Sequence, residues 1–580
     1  MPLPPLPVPK LEHTLQAIET ASAALLTVDD PARQQAFSGA IDDFRHGIAP
    51  KLQAALLNFA EHENTHGRSW LITDWLRSYY ASRTPLPLTS SVGFSLNLIN
   101  HVPTVGSMAQ SIGMIATAHL EWVRGDFPQV TDARGTDLDM NQFAALAGGL
   151  RHPQPDADTF RPPAPGGREI GVFVDGRLFV LTVADDAGRP LRQRALERGL
   201  TRIAALAAQP RPHAVGQEIP GGFAGFSYLG SAAVAPILDE LLTDGRNEAT
   251  YSRLTNLLFT VTVADHGDDP EERPLLPTLL EPGLAWAYRP LSYQYDLRGQ
   301  SWSVHVEHSQ FDGGMLVDAV GRMFAGVLGL GASTSETIPP EPQELGWHLS
   351  PALAERIAGA LAGYREEASR LKAVRLRLPR VPDDHLPYPM SLDALHQLTL
   401  TVAQLLAYGR VRGVYESVDM RGFQRGRTEC LRPVTSQAVA LAEALVEGTA
   451  TREGLDAALA AHRVQVKACK QGNGFDRHLL GLAQAGKRVG LSDPFFNDPT
   501  LELLRHDVLS TTSLGTPDRV IDYVFAPTVP EGFGVCYTPY ADAMGFVVSW
   551  WEDTAEKPEA FLAALEQAGR LLREFLPTLN

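Results

Sequence analysis

Apolar residues recur along the N-terminal part of the chain with the three-and-four spacing of amphipathic helices. This spacing runs through residues 15–26 and 44–59, and it predicts that the first 150 residues are mainly helical. Asp175-Gly176 divides a later β-rich run and predicts a hairpin there. The strand-like runs of this part of the chain lie at residues 170–183, 256–264 and 301–308.

A proline-rich segment at residues 338–342 predicts a domain boundary near residue 345. Helical and strand-like patterns alternate again after this segment. Ser350-Pro351 and Ser391 are residue types typical of helix N-termini, so helices are predicted to begin at both places. Further strands are predicted at residues 374–378 and 545–551, and a closing helix at residues 558–576. The alternation of helices and strands in both halves predicts an α/β fold.

The composition restricts the classes of function. The chain has 580 residues, 44% of them hydrophobic and 20% charged, which is typical of a folded globular protein. Its net charge of −17 disfavours binding along a nucleic-acid backbone, which requires clustered Lys and Arg. The sequence shows no apolar run of eighteen residues and no secretory signal pattern, so we expect no contact with membranes. Three widely separated cysteines indicate a reducing compartment, and we expect a cytoplasmic protein.

His308 carries the candidate chemistry. It ends a predicted strand, and Asp312-Gly313 follows four residues later. A neutral imidazole suits the removal of a proton from a hydroxyl near pH 7, which makes that hydroxyl a nucleophile. Asp312 is expected to lock the loop that presents the ring, and Gly313 to let the backbone turn sharply. The alternative is a structural histidine beside a turn. A metal shared with His305 is not expected, because residues three apart on a strand point to opposite faces.

Five motifs follow His308 in a fixed order. They are Tyr415-Glu416-Ser417, Gly426-Arg427-Thr428-Glu429, Gly474-Phe475-Asp476-Arg477-His478, Leu509-Ser510-Thr511-Thr512 and Pro530-Glu531-Gly532-Phe533-Gly534. Together with His308 and its Asp-Gly pair, they resemble the choline/carnitine acyltransferase family over nearly the whole chain. The resemblance implies two halves similar to chloramphenicol acetyltransferase. Each half would be a mixed β-sheet flanked by helices, with an active-site tunnel between the halves.

The resemblance also implies a division of the chain. Residues 1–90 would form N-terminal helices that pack with the second half. Residues 91–345 would form the half that carries the catalytic histidine, and residues 346–580 the half that binds the acceptor and the thioester. No permanently bound cofactor and no metal are expected, and coenzyme A or a phosphopantetheine thioester would serve as co-substrate.

The catalytic roles follow from the same resemblance. In the family, an acceptor hydroxyl attacks a thioester directly, with histidine as general base and without a covalent enzyme intermediate. His308 and Asp312 match the catalytic histidine and the aspartate of its loop. Thr512 matches the hydroxyl that stabilises the oxyanion, although the family has Ser at that position. Ser513 is the alternative if the register is shifted by one residue.

The acceptor residues of the family also have counterparts here. Tyr415 and Thr428 match positions that contact the acceptor's carboxylate, and Ser510 lies beside them. Arg477 matches a residue that supplies long-range positive charge in carnitine-type members, where the choline-type member has Asn. An Arg there favours an acceptor with a carboxylate, since a purely cationic acceptor would be repelled. Phe525 matches an aromatic side chain near the quaternary amine.

Two further regions of the sequence bear on the length of the acyl group and on the thioester that donates it. Tyr523 matches the position that closes the acyl channel in short-chain members, which predicts a short acyl group. The alternative is a register shifted by one residue. Asp522 would then occupy that position, and the end of the pocket would be polar. Ser391 and Asp393 match a Ser-Pro-Asp triplet near the thioester arm. The two lysines that hold the 3′-phosphate of coenzyme A are missing. Either an arginine of the preceding strand replaces them, at position 375, 377 or 380, or the donor lacks that phosphate.

Three functions remain open at this point. The first is transfer of a short acyl group from coenzyme A to carnitine or a carnitine-like acceptor. The second is a transferase of specialised metabolism that uses an acyl carrier protein as donor and another acceptor alcohol. The third is a catalytically idle relative that binds acyl thioesters. In each case we expect the protein to bind a small-molecule ligand. In the second case we also expect it to bind an acyl carrier protein.

Overall fold

The structure is a computed structural model that describes residues 3–26, 31–98, 104–212, 215–264, 275–330 and 337–579. The helices are α1 Leu11–Ala23, α2 Pro31–His46, α3 Ala49–Thr65, α4 Ile72–Tyr80, α5 Val105–Arg124, α6 Gln193–Ala207, α7 Ser231–Leu241, α8 Gly245–Asn256, α9 Leu275–Leu280, α10 Gly313–Leu330, α11 Pro351–Ala368, α12 Leu392–Tyr408, α13 Ser436–Glu447, α14 Arg452–Lys470, α15 Asp476–Val489, α16 Pro499–Arg505 and α17 Pro558–Phe575.

The strands form two large sheets and one short ladder. Their bounds are β1 Val92–Leu96, β2 Leu150–His152, β3 Thr159–Arg161, β4 Glu169–Val174, β5 Arg177–Thr182, β6 Thr260–Ala264, β7 Leu291–Asp296, β8 Ser301–Val306, β9 Gln343–Leu345, β10 Leu371–Pro379, β11 Val414–Asp419, β12 Thr428–Leu431, β13 Leu509–Ser513, β14 Val520–Val524, β15 Phe533–Pro539 and β16 Ala543–Trp551. The eight-stranded sheet has the order β14-β1-β8-β7-β6-β4-β5-β9, and the six-stranded sheet has the order β10-β16-β15-β13-β11-β12.

The two sheets share one topology. Along β1-β8-β7-β6-β4-β5 the successive pairings are antiparallel, antiparallel, parallel, parallel and antiparallel. The six-stranded sheet repeats this series from β10 to β12. Equivalent strands also follow one another in the same order along the chain. The predicted α/β class, with two similar halves that each contain a mixed sheet, is therefore confirmed.

The first sheet is covered by helices on both faces. Val172 and Phe179 pack into a core with α5, α6 and α10, whereas Phe173 and Leu178 pack into a second core with α7, α8 and α11. Successive residues of a strand point to opposite faces, so a strand buried on both faces needs apolar residues at every position. This explains the continuous apolar run at residues 170–183, which forms the predicted hairpin of β4 and β5.

The N-terminal helices contact the second half. Leu15, Phe37 and Leu56 belong to one core with Leu479 of α15 and Leu501 of α16. The ring of Phe44 stacks on that of Phe495 at 4.3 Å between centroids. These contacts agree with the expected packing, while the boundaries at residues 90 and 345 stay predictions.

One strand crosses between the halves. β14 belongs to the second half in sequence, but it pairs antiparallel with β1 at the edge of the eight-stranded sheet. Tyr523 of β14 lies opposite Phe94 of β1 in this ladder. The second half thereby places a tyrosine side chain beside the half that carries His308.

Two local expectations for the N-terminal region are wrong. Residues 44–59 do not form one helix, because the chain breaks at Gly47 and α3 begins with Pro50 in its first turn. Residues 92–96 form β1 and not helix, and all five of its residues are buried. Val92, Phe94 and Leu96 do alternate with Gly93 and Ser95, but this strand-like pattern is only five residues long and lies within a mainly helical stretch.

Candidate active site

A cavity of about 490 Å³ lies between the two sheets. The first half contributes His308, Asp312 and Phe94 to its wall. The second half contributes most of the other predicted site residues, namely Tyr415, Thr428, Ser510, Thr512, Tyr523 and Phe525. Residues that are more than 200 positions apart in the sequence are thus brought to one internal surface.

The backbone around His308 holds Nδ1 of its imidazole. His308 follows β8 by two residues, and its side chain is 30% exposed. Nδ1 lies 3.0 Å from the carbonyl oxygen of Phe311. Because a carbonyl can only accept a hydrogen bond, Nδ1 carries the proton and donates it. In a neutral ring, Nε2 is then the nitrogen that has the lone pair, as a general base requires.

Asp312 is held by a buried ion pair. The guanidinium of Arg427 donates to both carboxylate oxygens, at 2.9 Å to Oδ2 and 2.7 Å to Oδ1. Burial favours a higher pKa for Asp312, but Arg427 and then His308 outweigh it and hold the pKa below its usual value. The amide of Gln142 also donates to Oδ2 at 3.0 Å and accepts from the backbone N–H of Asp312 at 2.9 Å.

Arg427 also holds the backbone on which His308 sits. It donates to the carbonyl oxygen of Ser309 at 2.6 Å and to that of His308 at 3.1 Å. On the other side of the loop, Glu307 is fully buried and accepts from Arg151 at 3.1 Å. Two buried ion pairs therefore fix the segment before and after the imidazole. This network agrees with the loop-locking role expected of Asp312.

Gly313 does not adopt a conformation that only glycine allows. It begins α10, and its φ lies outside the left-handed region that favours glycine. A Cβ at this position would come within 2.9 Å of the Leu514 side chain. These atoms are the end of a flexible side chain that can move, so neither backbone conformation nor space requires glycine at this position.

Ser510, Thr511, Thr512 and Ser513 of β13 all contribute to the cavity wall, although successive side chains of a strand point to opposite faces. Thr511 bonds away from the acceptor side, since its hydroxyl donates to the carbonyl of Tyr415 at 2.8 Å and accepts from Gln397 at 2.8 Å. Ser513 shares the parity of Thr511, and its hydroxyl accepts from the backbone N–H of Gly515 at 3.3 Å. Thr512 points the other way, with its hydroxyl 3.5 Å from the phenol oxygen of Tyr523. Thr512 is thus the one of the two that lies beside Tyr523, but Ser513 also lines the cavity, so the choice between them stays a prediction.

Arg477 lies behind the acceptor residues. It donates to the phenol oxygen of Tyr415 at 3.2 Å and to the carbonyl oxygen of Thr428 at 3.1 Å. Its guanidinium also lies over the ring of Trp75 at 4.8 Å. Arg477 therefore supports both predicted carboxylate contacts and places a positive charge behind them.

The charges behind Arg477 nearly balance. Arg432 and Asp476 form a buried pair at 2.6 Å, and Asp476 also contacts Arg477 at 3.3 Å. Glu429 is buried, which raises its pKa to about 7 despite the opposing charge of Arg477. Asp507, which lines the cavity, also pairs with Arg432, so carboxylates and guanidinium groups alternate behind the predicted acceptor residues.

Tyr523, and not Asp522, contributes to the cavity wall. Its side chain lines the cavity and is 2% exposed. The alternative residue, Asp522, accepts from Arg375 at 2.6 Å and is absent from the cavity wall. The polar end that Asp522 would give to the pocket is therefore not formed.

Ser391 and Asp393, the residues predicted to lie near the thioester arm, are at the start of α12. The Ser391 hydroxyl caps α12 and accepts from the N–H of Ala394. Asp393 accepts from the Tyr537 hydroxyl at 2.6 Å and pairs with His462 at 3.0 Å. Neither residue lines the cavity.

The three arginines that were candidates for phosphate binding all have acidic partners. Arg375 pairs with Asp522 at 2.6 Å, Arg377 pairs with Asp542 at 2.9 Å, and Arg380 pairs with Asp383 at 2.7 Å. A phosphate would have to compete with a carboxylate at each of them. None of the three therefore replaces the missing lysines without rearrangement.

Other chemistries have little support within the described part of the chain. No group of three or more His, Cys, Asp or Glu side chains there is arranged to hold a metal. The three cysteines are buried, and burial raises the pKa of each thiol, which disfavours the reactive thiolate. Among the helices of the same ranges, none combines the length and hydrophobicity needed to cross a bilayer.

Sequence analysis missed three contributors to this site. Arg427 was part of a quoted motif but had no assigned role, although it holds both Asp312 and the His308 loop. Trp75 comes from α4 and lies beneath the guanidinium groups of Arg427 and Arg477. Gln142 bonds Asp312 from a segment without regular strand or helix periodicity. All three lie in segments that resemble the family, at residues 70–85, 140–142 and 426–429, but the resemblance assigned no role to them.

Comparison with known proteins agrees with the motif order. The sequence profile described as Choline/Carnitine o-acyltransferase matches residues 6–567. Carnitine O-palmitoyltransferase 2, mitochondrial, from Bos taurus is 25% identical over 629 residues, with 98% of this chain and 90% of that protein covered. Carnitine O-acetyltransferase from Mus musculus is 25% identical over 600 residues, with 97% and 91% covered.

Among solved structures, trichothecene 15-O-acetyltransferase TRI3 from Fusarium sporotrichioides is 12% identical with a TM-score of 0.34, and the match covers 87% of this chain and 93% of that one. The family match, by contrast, extends over nearly the entire sequence and contains every motif described above. This chain therefore belongs to the choline/carnitine O-acyltransferase family and is an acyltransferase.

Proposed function

We propose that this protein transfers a short acyl group from a coenzyme A thioester to the hydroxyl of carnitine or a carnitine-like acceptor. The observation that carries the proposal is the shared cavity of His308 and Thr512, which come from different halves of the molecule. One supplies a base with a free nitrogen lone pair, and the other supplies a hydroxyl donor. These are the two groups that direct attack on a thioester needs.

The reaction follows from these positions. Nε2 of His308 takes the proton from the acceptor hydroxyl as its oxygen bonds to the thioester carbon. The carbonyl electron pair moves onto oxygen, and the hydroxyl of Thr512 donates to this oxyanion. When the tetrahedral intermediate collapses, the C–S bond breaks, and the leaving thiolate receives the proton from His308. No nucleophilic Ser or Cys and no covalent enzyme intermediate are required.

The acceptor end supports a zwitterion. Tyr415 and Thr428 line the cavity where a carboxylate would bind, with the charge of Arg477 behind them. Phe525 offers an aromatic face to a quaternary amine. We therefore place the carboxylate of the acceptor near Tyr415 and its cationic head near Phe525.

Replacement of Arg477 by Asn should weaken carnitine far more than choline. The charge behind Tyr415 attracts the carboxylate of carnitine, which choline does not have, so its loss removes a favourable interaction from carnitine alone. We compare kcat/KM for carnitine with kcat/KM for choline. The preference for carnitine should fall by about 10-fold or more in the variant, which corresponds to a loss of about 1.4 kcal/mol of interaction free energy. Equal changes for both acceptors would remove the proposed role of Arg477.

Tyr523 should limit the length of the acyl group. Its ring is buried at the cavity wall and stacks on Phe94 at 5.1 Å. Tyr523→Gly removes this wall, and we expect activity to shift from acetyl toward long-chain thioesters. Rates with a series of acyl-coenzyme A esters from acetyl to palmitoyl measure the shift. An unchanged preference for acetyl in this variant would show that another residue sets the length.

A carrier-bound donor is the second candidate function. The missing lysines and the acidic partners of Arg375, Arg377 and Arg380 favour a donor without the 3′-phosphate. An acyl carrier protein presents the same phosphopantetheine arm without that group. In this second candidate function, the enzyme would transfer the acyl group from the carrier protein to an alcohol other than carnitine.

A panel of donors separates these functions. L-carnitine is supplied with acetyl-coenzyme A, acetyl-3′-dephospho-coenzyme A or an acetylated carrier protein, and the product is identified by mass spectrometry. Acetylcarnitine from acetyl-coenzyme A supports the first function. Turnover only with the carrier supports the second. Binding of thioesters without transfer to any hydroxyl acceptor would identify an idle relative and contradict the proposal.

A further inference from the structure

The phenol of Tyr523 occupies a position that the role of acyl wall does not explain. The strand that carries it crosses from the second half into the first sheet, where Tyr523 lies opposite Phe94. A wall needs only the ring, which packs on Phe94. The hydroxyl, however, faces the hydroxyl of Thr512 at 3.5 Å.

The separation of the two hydroxyls suits one shared acceptor atom. The distance between the two oxygens exceeds the usual range of about 2.5–3.0 Å for an O–H···O hydrogen bond, so the hydrogen bond between the two hydroxyls is weak. An oxyanion accepts from donors at about 2.7–3.1 Å, and two donors 3.5 Å apart can both reach one such oxygen. Burial raises the pKa of Tyr523 well above its usual value, so the phenol keeps its proton and can donate.

We propose that Tyr523 is a second oxyanion donor and acts together with Thr512. This inference rests on the proposed function, because it concerns the carbonyl oxygen of the same thioester. As the nucleophile adds to the carbonyl carbon, the electron pair moves onto that oxygen. The oxygen then accepts hydrogen bonds from Oη–H of Tyr523 and Oγ1–H of Thr512. Neither donor loses its proton, and the proton taken by His308 leaves with the thiolate.

Tyr523→Phe tests the hydroxyl apart from the wall. The substitution keeps the ring and its contact with Phe94, so the preference for short acyl groups should not change. We expect kcat for acetyl transfer to fall by about 10²-fold with little change in KM, as for the loss of one oxyanion donor. The double variant with Thr512→Ala should lose less than the product of the two single losses, because both donors act on one oxygen.

Slow hydrolysis of the acetyl thioester by water is measured in parallel. This reaction forms the same oxyanion without any acceptor, so it separates failure of the inference from failure of the proposed function. Suppose that the wild-type enzyme hydrolyses the thioester but does not acetylate carnitine, and that Tyr523→Phe slows the hydrolysis about 10²-fold. This result would refute carnitine as the acceptor and would still support Tyr523 as an oxyanion donor.

Tyr293→Phe is the matched control. Tyr293 is fully buried in the same sheet, and its hydroxyl lies 3.1 Å from Nε2 of His119. Its variant loses one buried hydroxyl and should keep wild-type kcat. A Tyr523→Phe variant that stays within twofold of wild type in both reactions overturns the inference. So does an equal loss in Tyr293→Phe, or the absence of both reactions in the wild type.

Discussion

Replacement of His308 by Ala should lower kcat by about 10²–10⁴-fold, the usual contribution of a general base. The ring is the only group of this residue that the reaction uses, whereas its backbone carbonyl binds Arg427. The substitution keeps that carbonyl, and we therefore expect the loop and the Asp312–Arg427 pair to persist. KM for both substrates should change little. Steady-state rates over a range of thioester and acceptor concentrations measure both parameters.

An exposed histidine provides the control for this variant. His13 lies on the exposed side of α1, far in sequence from the site residues, and His13→Ala should retain wild-type kcat. A His308→Ala variant that retains more than about one tenth of wild-type kcat would be inconsistent with a general base. It would return His308 to the structural role considered at the outset.

Replacement of Arg427 by Met should destabilise the protein by about 3–5 kcal/mol, because it leaves a buried carboxylate without its partner. Asp312 is nearly buried, and Arg427 donates to both of its oxygens. The same change removes the bonds from Arg427 to the carbonyls of His308 and Ser309, so kcat should fall as well. Chemical denaturation gives the free energy of unfolding.

Two further variants identify the cause of this loss. Adding Asp312→Asn to Arg427→Met removes the uncompensated charge, and part of the lost stability should return. Arg202→Met breaks the exposed pair with Glu341 and should cost about 0–1 kcal/mol. Equal small costs for Arg427→Met and Arg202→Met would show that the Asp312–Arg427 pair does not hold the loop.

The elements with local signals could be predicted from the sequence. The hairpin at Asp175-Gly176 and the helices that begin after Ser350 and Ser391 are present where turn and capping residues placed them. Each depends on residues that are neighbours in sequence, so a local pattern contains the information. The resemblance to a family similarly placed His308, Thr512 and Tyr415 at one cavity, through the order of the motifs.

The features that sequence analysis missed depend on distant contacts. β14 joins the sheet of the other half, and its pairing with β1 connects residues more than 400 positions apart. The ionic partners of Arg427 and Arg375 are likewise distant in sequence. The residue type of Arg375 is right for a phosphate contact, but its carboxylate partner becomes evident only in the folded chain.

The release of free thiol from acetyl-coenzyme A, followed with and without L-carnitine, tests the central claim most directly. If His308 activates a hydroxyl that attacks the thioester in the shared cavity, thiol release should depend on carnitine and rise to saturation with its concentration. Release that is equally fast without carnitine would contradict direct transfer to this acceptor.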